Sequence, residues 1–228
     1  FGALADAAPD RVQSFTGIPS SALFHGKGAD GQYYNDHLFQ GGGQGGSSQG
    51  DGKSALLYPT SAANTSVELF ETRVPVVVIE KALLPDSGGP GRKRGGLAQI
   101  VSTRKLSDND ELCQVGLYPN GVKAPMQGLY GGRPGRSGSA RFMESDGSVR
   151  DLGVGALAHF TDTHQRGDLI LSGGSGYGDP WSRDYDDVQR DLDEGYVTAS
   201  GAKTDYGCVV SANGKVDRTA SDALRKAQ

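Results

Sequence analysis

Gly52-Lys53-Ser54 has the ending of a phosphate-binding loop, where backbone N–H groups and a lysine cradle phosphate. That pattern needs glycine at position 47, and Ser47 stands there. No apolar strand leads straight into the run and no helix clearly follows, so nothing aims the N–H groups. Gly41-Gly42-Gly43-Gln44-Gly45-Gly46 formally satisfies G-x-G-x-x-G, but without a strand–turn–helix context the match carries no information. The four histidines are His25, His37, His159 and His164. None pair at i,i+4, and neither H-E-x-x-H nor C-x-x-C occurs, so no metal site is nominated. No G-x-S-x-G elbow nominates a serine nucleophile. The acids Asp179, Asp184, Asp186 and Asp187 fall at an expected helix start, where the helix dipole accounts for them. The residue types alone name no catalytic residue.

The elements that would carry any site are constrained by glycine, which supplies 36 of the 228 residues. No Gly-X-Y period is present, so the chain is not collagen-like. No apolar run reaches the ~18 residues of a membrane helix. Interior glycines each cost a helix about 1 kcal/mol, which disfavours a helical bundle. The net charge is −4, so neither nucleic acid nor an anionic membrane is an expected partner. Cys113 and Cys208 lie far apart and are expected as buried free thiols in a reducing, cytoplasmic compartment. The sequon-like Asn64-Thr65-Ser66 has no secretory signal beside it. The chain starts at Phe1 rather than Met, as a fragment, a processed product or part of a longer record would.

Strand-like runs are expected from about 18 to 40, with Gly28-Ala29-Asp30-Gly31 as a hairpin link. Further strands are expected over Val67–Glu71, Val74–Glu80, 97–103, 111–118 and, more briefly, near 140–144, 148–154 and 168–172. Residues 41–53 read as a flexible glycine loop, and 84–96 and 131–135 as two more loops. After Gly178 the pattern turns helical. Asp184 to Glu194 carries Val188 and Leu192 at i,i+4 with Gly195 as a stop. Thr198 caps a second helix ending at Gly207, and Thr219 to Asp222 opens a last one running to the C-terminus. The expected fold is mainly β, a sandwich or barrel-like, with a small helical tail, so α+β. The expected division is a β-rich domain over 1–178 and a helical tail over 179–228.

Several segments, in order, resemble the hydantoinase B/oxoprolinase family. Asp86-Ser87-Gly88-Gly89-Pro90-Gly91-Arg92-Lys93-Arg94-Gly95-Gly96 is similar to that family's D-S-G-G-x-G-x-x-R-G-G loop. Gly173 to Pro180 follows, then Arg183-Asp184, Val188, Asp191 to Gly195, Ala202, Tyr206-Gly207 and Val209-Val210. Gly131 to Gly135 also fits, and Asn64 with Val67-Glu68 and Glu71 resembles an N-x-P-V-E segment. Ser66 replaces the usual Pro there, and Cys208 a usual Val.

The resemblance implies the C-terminal portion, about two-fifths, of a B-type subunit in an ATP-dependent enzyme. The hydrolase branch opens cyclic amides such as hydantoins, 5-oxoproline or lactams; the carboxylase branch acts on ketones. A non-catalytic scaffold or interaction module is the third reading. The implied partners are a hydantoinase A-like ATP-binding subunit, the upstream part of the same subunit, and a small-molecule substrate. ATP and Mg are expected on the partner, a divalent metal on the upstream part, and no cofactor on this chain. No catalytic residue carries over. Asn64, Glu68, Asp86, Ser87, Arg94, Tyr177 and Asp179 are the substrate-side or interface candidates. Asn64 and Glu68 are the leading substrate-side candidates, while Asp86, Ser87, Arg94, Tyr177 and Asp179 each also have a structural role to fill. Asp86 and Ser87 would start a turn whose glycines take φ > 0, Arg94 would pair with an acid, and Asp179 would cap local N–H groups.

Overall fold

The computed structural model describes residues 2–28, 30–60, 62–109 and 111–227, with Gly2 and Ala3 as backbone only. Phe1, Ala29 in the expected hairpin link, and Gln228 at the end of the expected last helix lie outside the described residues.

Helix α1 (Gly2–Ala7) and a 3-10 turn (Pro9–Arg11) lead to β1 (Ser20–Lys27) and β2 (Tyr33–Gln40). These two form the expected hairpin, with Ser20 opposite Gln40 and Lys27 opposite Tyr33. Val67–Glu71, expected as a strand, is instead helix α2. The local signal was a cap: Ser66 Oγ accepts the Leu69 N–H, and Glu68 sits in the first turn. Only Phe70 of this segment is buried, edge-on to Phe24 at 5.1 Å.

Strands β3 (Val76–Leu83), β4 (Gln99–Lys105), β5 (Cys113–Tyr118), β6 (Ser139–Met143), β7 (Val149–Asp151), β8 (Ala156–His159) and β9 (Arg166–Ile170) complete two antiparallel sheets. One has the order β2-β1-β5-β8 and the other β3-β4-β9-β6-β7. Alternate residues from both, such as Phe24, Val115 and Leu117 against Val101, Phe142 and Leu169, fill one shared core. The fold is mainly β, α+β overall, and the sheets do not close into a barrel. β8 was not foreseen, being four residues long and preceded by Gly153 and Gly155.

The tail holds α3 (Tyr185–Asp193), α4 (Ala199–Tyr206), the short pair β10 (Val209–Val210) and β11 (Val216–Asp217), and α5 (Arg218–Lys226). Thr198 caps α4 and Gly207 ends it at φ 61°, both as expected. The cap of α5 is Asp217, two residues before the expected start, because its carboxylate accepts the Ala220 N–H.

Strands β1, β2, β4, β6 and β9 meet at one end of the sandwich, and there the chain becomes glycine. The central segment is 172–178, which continues β9. Its successive N–H groups go to different neighbours. Gly173 donates to Arg136 O, Gly174 to Gly96 O, Ser175 to Phe15 O, Gly176 to Arg133 O, Tyr177 to Lys93 O and Gly178 to Leu129 O. From Gly173 to Tyr177 the same neighbouring segment recurs every third residue, the repeat of a polyproline-II backbone rather than the twofold repeat of a strand, and Gly178, at φ 74°, leaves the pattern. Segments 14–17, 43–46, 89–96 and 129–136 therefore surround 172–178 as a bundle of backbones.

This corrects two expectations. The 41–53 run is no mobile loop: Gly43 donates to Ser172 O, Gly46 to Ser175 O and Gly52 to Arg94 O, and Gly41 to Gly43 are buried. The glycines of 88–96 do not take φ > 0 either; Asp86 does, at 55°. They are glycine because backbones touch. A Cβ on Gly95 would lie 2.0 Å from Gly174 O, and one on Gly43 2.0 Å from Gly96 O.

Candidate functional site

The glycine bundle is locked to the helical tail by a buried cluster of charge. Asp51, in the glycine run, accepts from the Arg94 N–H at 2.6 Å. Its two oxygens also accept from Arg183 Nη1 and Nη2, each at 2.7 Å. Arg183 Nη2 bonds Asp191 Oδ2 at 2.8 Å, and Arg94 closes the ring with Nε and Nη2 on Asp191, both at 3.1 Å. The Arg183 side chain is fully buried. Tyr206 lies under its guanidinium and Tyr196 under that of Arg94. Lys93 and Arg190 extend the cluster outward through Asp187.

Two arginines facing two aspartates make a neutral, geometrically matched set. Burial pushes the Asp51 carboxyl up, but hydrogen bonds and charge from Arg183, then Arg94, outweigh it and hold it below its ordinary 3.8. Burial pulls Arg183 down, yet Asp51 and Asp191 raise it above its ordinary value. Asp51 and Arg183 therefore keep their charges at neutral pH, which suits a role in holding position.

A pH titration checks this. The folded-state Asp51 titrates below its unfolded value, so ionised Asp51 contributes stability above pH 3.8. That contribution fades as pH falls through the lower, folded value. Wild type is expected to exceed Asp51→Asn in urea midpoint at neutral pH, with the gap closing only in acid below about 4. A gap constant down to strong acid would contradict the assignment.

The seven expected site residues do not converge. Arg94 joins the cluster. Ser87 is buried and spans the turn before it, donating to Leu84 O and accepting the Ala98 N–H. Asp86 latches the same turn onto α4: its oxygens accept from Thr198 N at 2.8 Å and Thr198 Oγ1 at 2.6 Å. Gly201 makes room, since a Cβ there would lie 2.1 Å from Asp86 Oδ1. Gly201→Ala is therefore expected to break the latch at a cost of about 1–2 kcal/mol, the scale of a lost helix cap. Asp86→Ala should cost as much, and the double change no more than either, read by thermal melts.

Tyr177 is buried, with its OH on Pro9 O at 2.8 Å and its ring edge-on to Tyr130. Asp179 is exposed and accepts the Trp181 N–H at 3.0 Å, capping a 3-10 turn (Pro180–Ser182). Asn64 accepts the Gly41 N–H and donates to Ala55 O, tying two loops. Glu68 is exposed at the start of α2; its own backbone N–H and the Ser66 hydroxyl hold its carboxyl below the usual range.

Asp51, Arg183 and Asp191 were missed as site residues. Asp51 carried one local signal, a charge between Gly50 and Gly52, while Arg183 and Asp191 stand among other polar and charged residues and had none. His25, His37 and His159 lie along the outward face of the β2-β1-β5-β8 sheet, and His164 in the loop before β9. Among the described residues, no three His, Cys, Asp or Glu side chains gather as a metal site. Gly52-Lys53-Ser54 does not fit a nucleotide. The Gly52 N–H is held by Arg94 O, Ser54 Oγ accepts the Leu97 N–H, and a Cβ on Gly52 would meet Gln44 O at 1.9 Å. No described helix is long and apolar enough to cross a membrane.

A protein-family model described as hydantoinase B/oxoprolinase matches residues 1–180. The caprolactamase β subunit of Pseudomonas jessenii is 31% identical over 168 residues, which is 71% of this chain and 28% of that protein. A putative D-/L-hydantoinase B-type subunit of Pseudomonas sp. (strain NS671) is 27% identical over 234 residues, 98% of this chain and 37% of that one. The solved structure of the ATP-dependent caprolactamase from Pseudomonas jessenii matches with a TM-score of 0.84 at 24% identity, over 98% of this chain and 40% of that chain. Nucleotide-free acetone carboxylase matches at 0.82 and 20%, over 98% and 34%. At those identities the structural likeness speaks to fold. The chain thus spans between a quarter and two-fifths of these relatives' length.

Proposed function

Because this chain belongs to the hydantoinase B/oxoprolinase family, we propose that it is the C-terminal portion of the B-type subunit of an ATP-dependent cyclic-amide hydrolase. Its substrates are lactams, hydantoins or 5-oxoproline. The carrying observation is the 31% identity to a caprolactamase β subunit over 71% of the chain. A second relative is named for hydantoin chemistry.

In this reading the chain is the rigid part of the enzyme. The bundle and its ion pairs present fixed backbone and side-chain surfaces to the rest of the assembly. Asn64, Glu68, Asp86, Ser87, Arg94, Tyr177 and Asp179 act by holding that surface. ATP and Mg belong to a hydantoinase A-like partner, and a divalent metal to the upstream part of the subunit. The proposed complex works in the cytoplasm, where ATP is supplied.

The test is substrate-dependent ATP turnover by the assembled complex. The expected result is turnover on adding a lactam or hydantoin without bicarbonate, with this chain inactive alone. Turnover that requires bicarbonate and a ketone would replace the hydrolase by a carboxylase. A chain that stays a monomer and never binds an ATP-hydrolysing partner would overturn both.

A further inference from the structure

The segment from Val12 to Ile18 crosses the glycine bundle with its small residues inward. Ser14 is buried and donates to Gly176 O at 2.7 Å. A Cβ on Gly17 would lie 2.2 Å from Ser172 O. The large residues that follow each of them are therefore forced outward. Phe15 and Ile18 are 40% and 44% exposed, beside Leu4 at 56% and Tyr58 at 40%. With Pro59 and Leu129 they line a groove of about 450 Å³.

The Gln13, Ser14 and Thr16 side chains of the groove are already engaged, and Arg11 is its exposed charged residue. Gln13 Nε2 donates to Thr16 Oγ1, Gln13 Oε1 accepts from Gln44 Nε2, and Thr16 Oγ1 also accepts the Gly45 N–H. Beside Arg11, the groove offers mainly apolar contact, from Leu4, Ile18, Tyr58, Pro59 and Leu129, which suits a protein segment rather than a small polar substrate. A surface strand facing only water would carry polar residues at these outward positions.

We propose that this groove seats apolar side chains of the remainder of the B-type subunit. That remainder is about three-fifths or more of each solved relative, since this chain covers only 34% and 40% of them. The assignment rests on the family reading above and names the surface through which the subunit is completed. The groove lies on the flank of the bundle, so covering it would also shield the Val12–Ile18 segment that the bundle needs. It is the seat whether the remainder is continuous with this chain or a separate polypeptide.

The test places the photo-crosslinker p-benzoylphenylalanine at Ile18 in the intact complex. Leu106, exposed beyond the far end of β4, is the control position. Crosslinked peptides are identified by mass spectrometry. Ile18 is expected to link to the remainder of the B-type subunit, and Leu106 not to the same peptides. Ile18→Glu is expected to lose the folded complex while this chain alone melts like wild type. Links from Ile18 to the ATP-binding partner or to a second copy of this chain, or no links, overturn the assignment. So does an Ile18→Glu complex that assembles normally. Lactam-dependent ATP turnover by the wild-type complex separates the two ideas. If turnover is present and Ile18 links elsewhere, only the groove assignment falls. If turnover is missing and Ile18 links to the remainder, only the hydrolase reading falls. If no complex forms, both fall.

Discussion

Gly174→Ala is expected to abolish the native fold, while Gly50→Ala leaves it intact. The new Cβ at 174 would lie 2.0 Å from Gln44 O, 2.3 Å from Gln44 C and 2.7 Å from Gly43 O. All three are backbone atoms, so no rotamer change relieves the clash. Nor can the segment slide. Gly174 donates to Gly96 O and accepts from Gly89 N, and a Cβ on its neighbour Gly95 would itself be 2.0 Å from Gly174 O. Overpacking a core that can adjust costs about 1–3 kcal/mol. A bundle of interlocked backbones adjusts less, so the loss should exceed about 3 kcal/mol, a large share of a domain's usual 5–15. At Gly50 nothing lies within 4 Å of an added Cβ and φ is not positive. Alanine there should be neutral or stabilise by up to about 1 kcal/mol through the unfolded chain. Soluble yield and melting temperature of the pair decide the matter. Equal behaviour would mean the bundle is not packed as described.

Arg183→Met is expected to cost about 3–5 kcal/mol in a urea titration, because it leaves buried carboxylates uncompensated. Asp51 would lose both of its 2.7 Å bonds, and Asp191 would keep only Arg94. Arg183→Lys should recover little. A single ammonium cannot reach both Asp51 oxygens and Asp191 as the planar fork does. Adding Asp51→Asn to Arg183→Met should be clearly less than additive, since the two share one interaction. Arg190→Ala is the contrast: its pairs with Asp187 and Asp51 are formed by a half-exposed side chain, and such pairs contribute about 0–1 kcal/mol. If Arg183→Met cost no more than Arg190→Ala, the cluster would not be what locks the tail to the bundle.

Much of the fold was legible because its signals are short-range. The β1–β2 hairpin shows its Asp30-Gly31 link, α4 its Thr198 cap and Gly207 stop, and α3 its spacing of Val188 and Leu192. Val67–Glu71 misled because β-branched and aromatic residues suggest a strand, while the deciding signal was one hydroxyl at Ser66. The site was less legible. Among the seven candidates, Arg94 showed itself through its motif, but its partner Asp191 is 97 residues away.

What the sequence by itself determined is the family, through ordered glycine motifs, and the local elements, through caps, turns and alternation. What only the tertiary structure decided is the meaning of the glycines and of Asp51, Arg183 and Asp191. Asp51 and Arg183 meet across 132 residues, and no local pattern encodes that pairing. A glycine chosen for φ > 0 and a glycine chosen because another backbone lies 2 Å from its missing Cβ are the same letter. The difference lies in what packs against them, and that exists only once the five segments have come together.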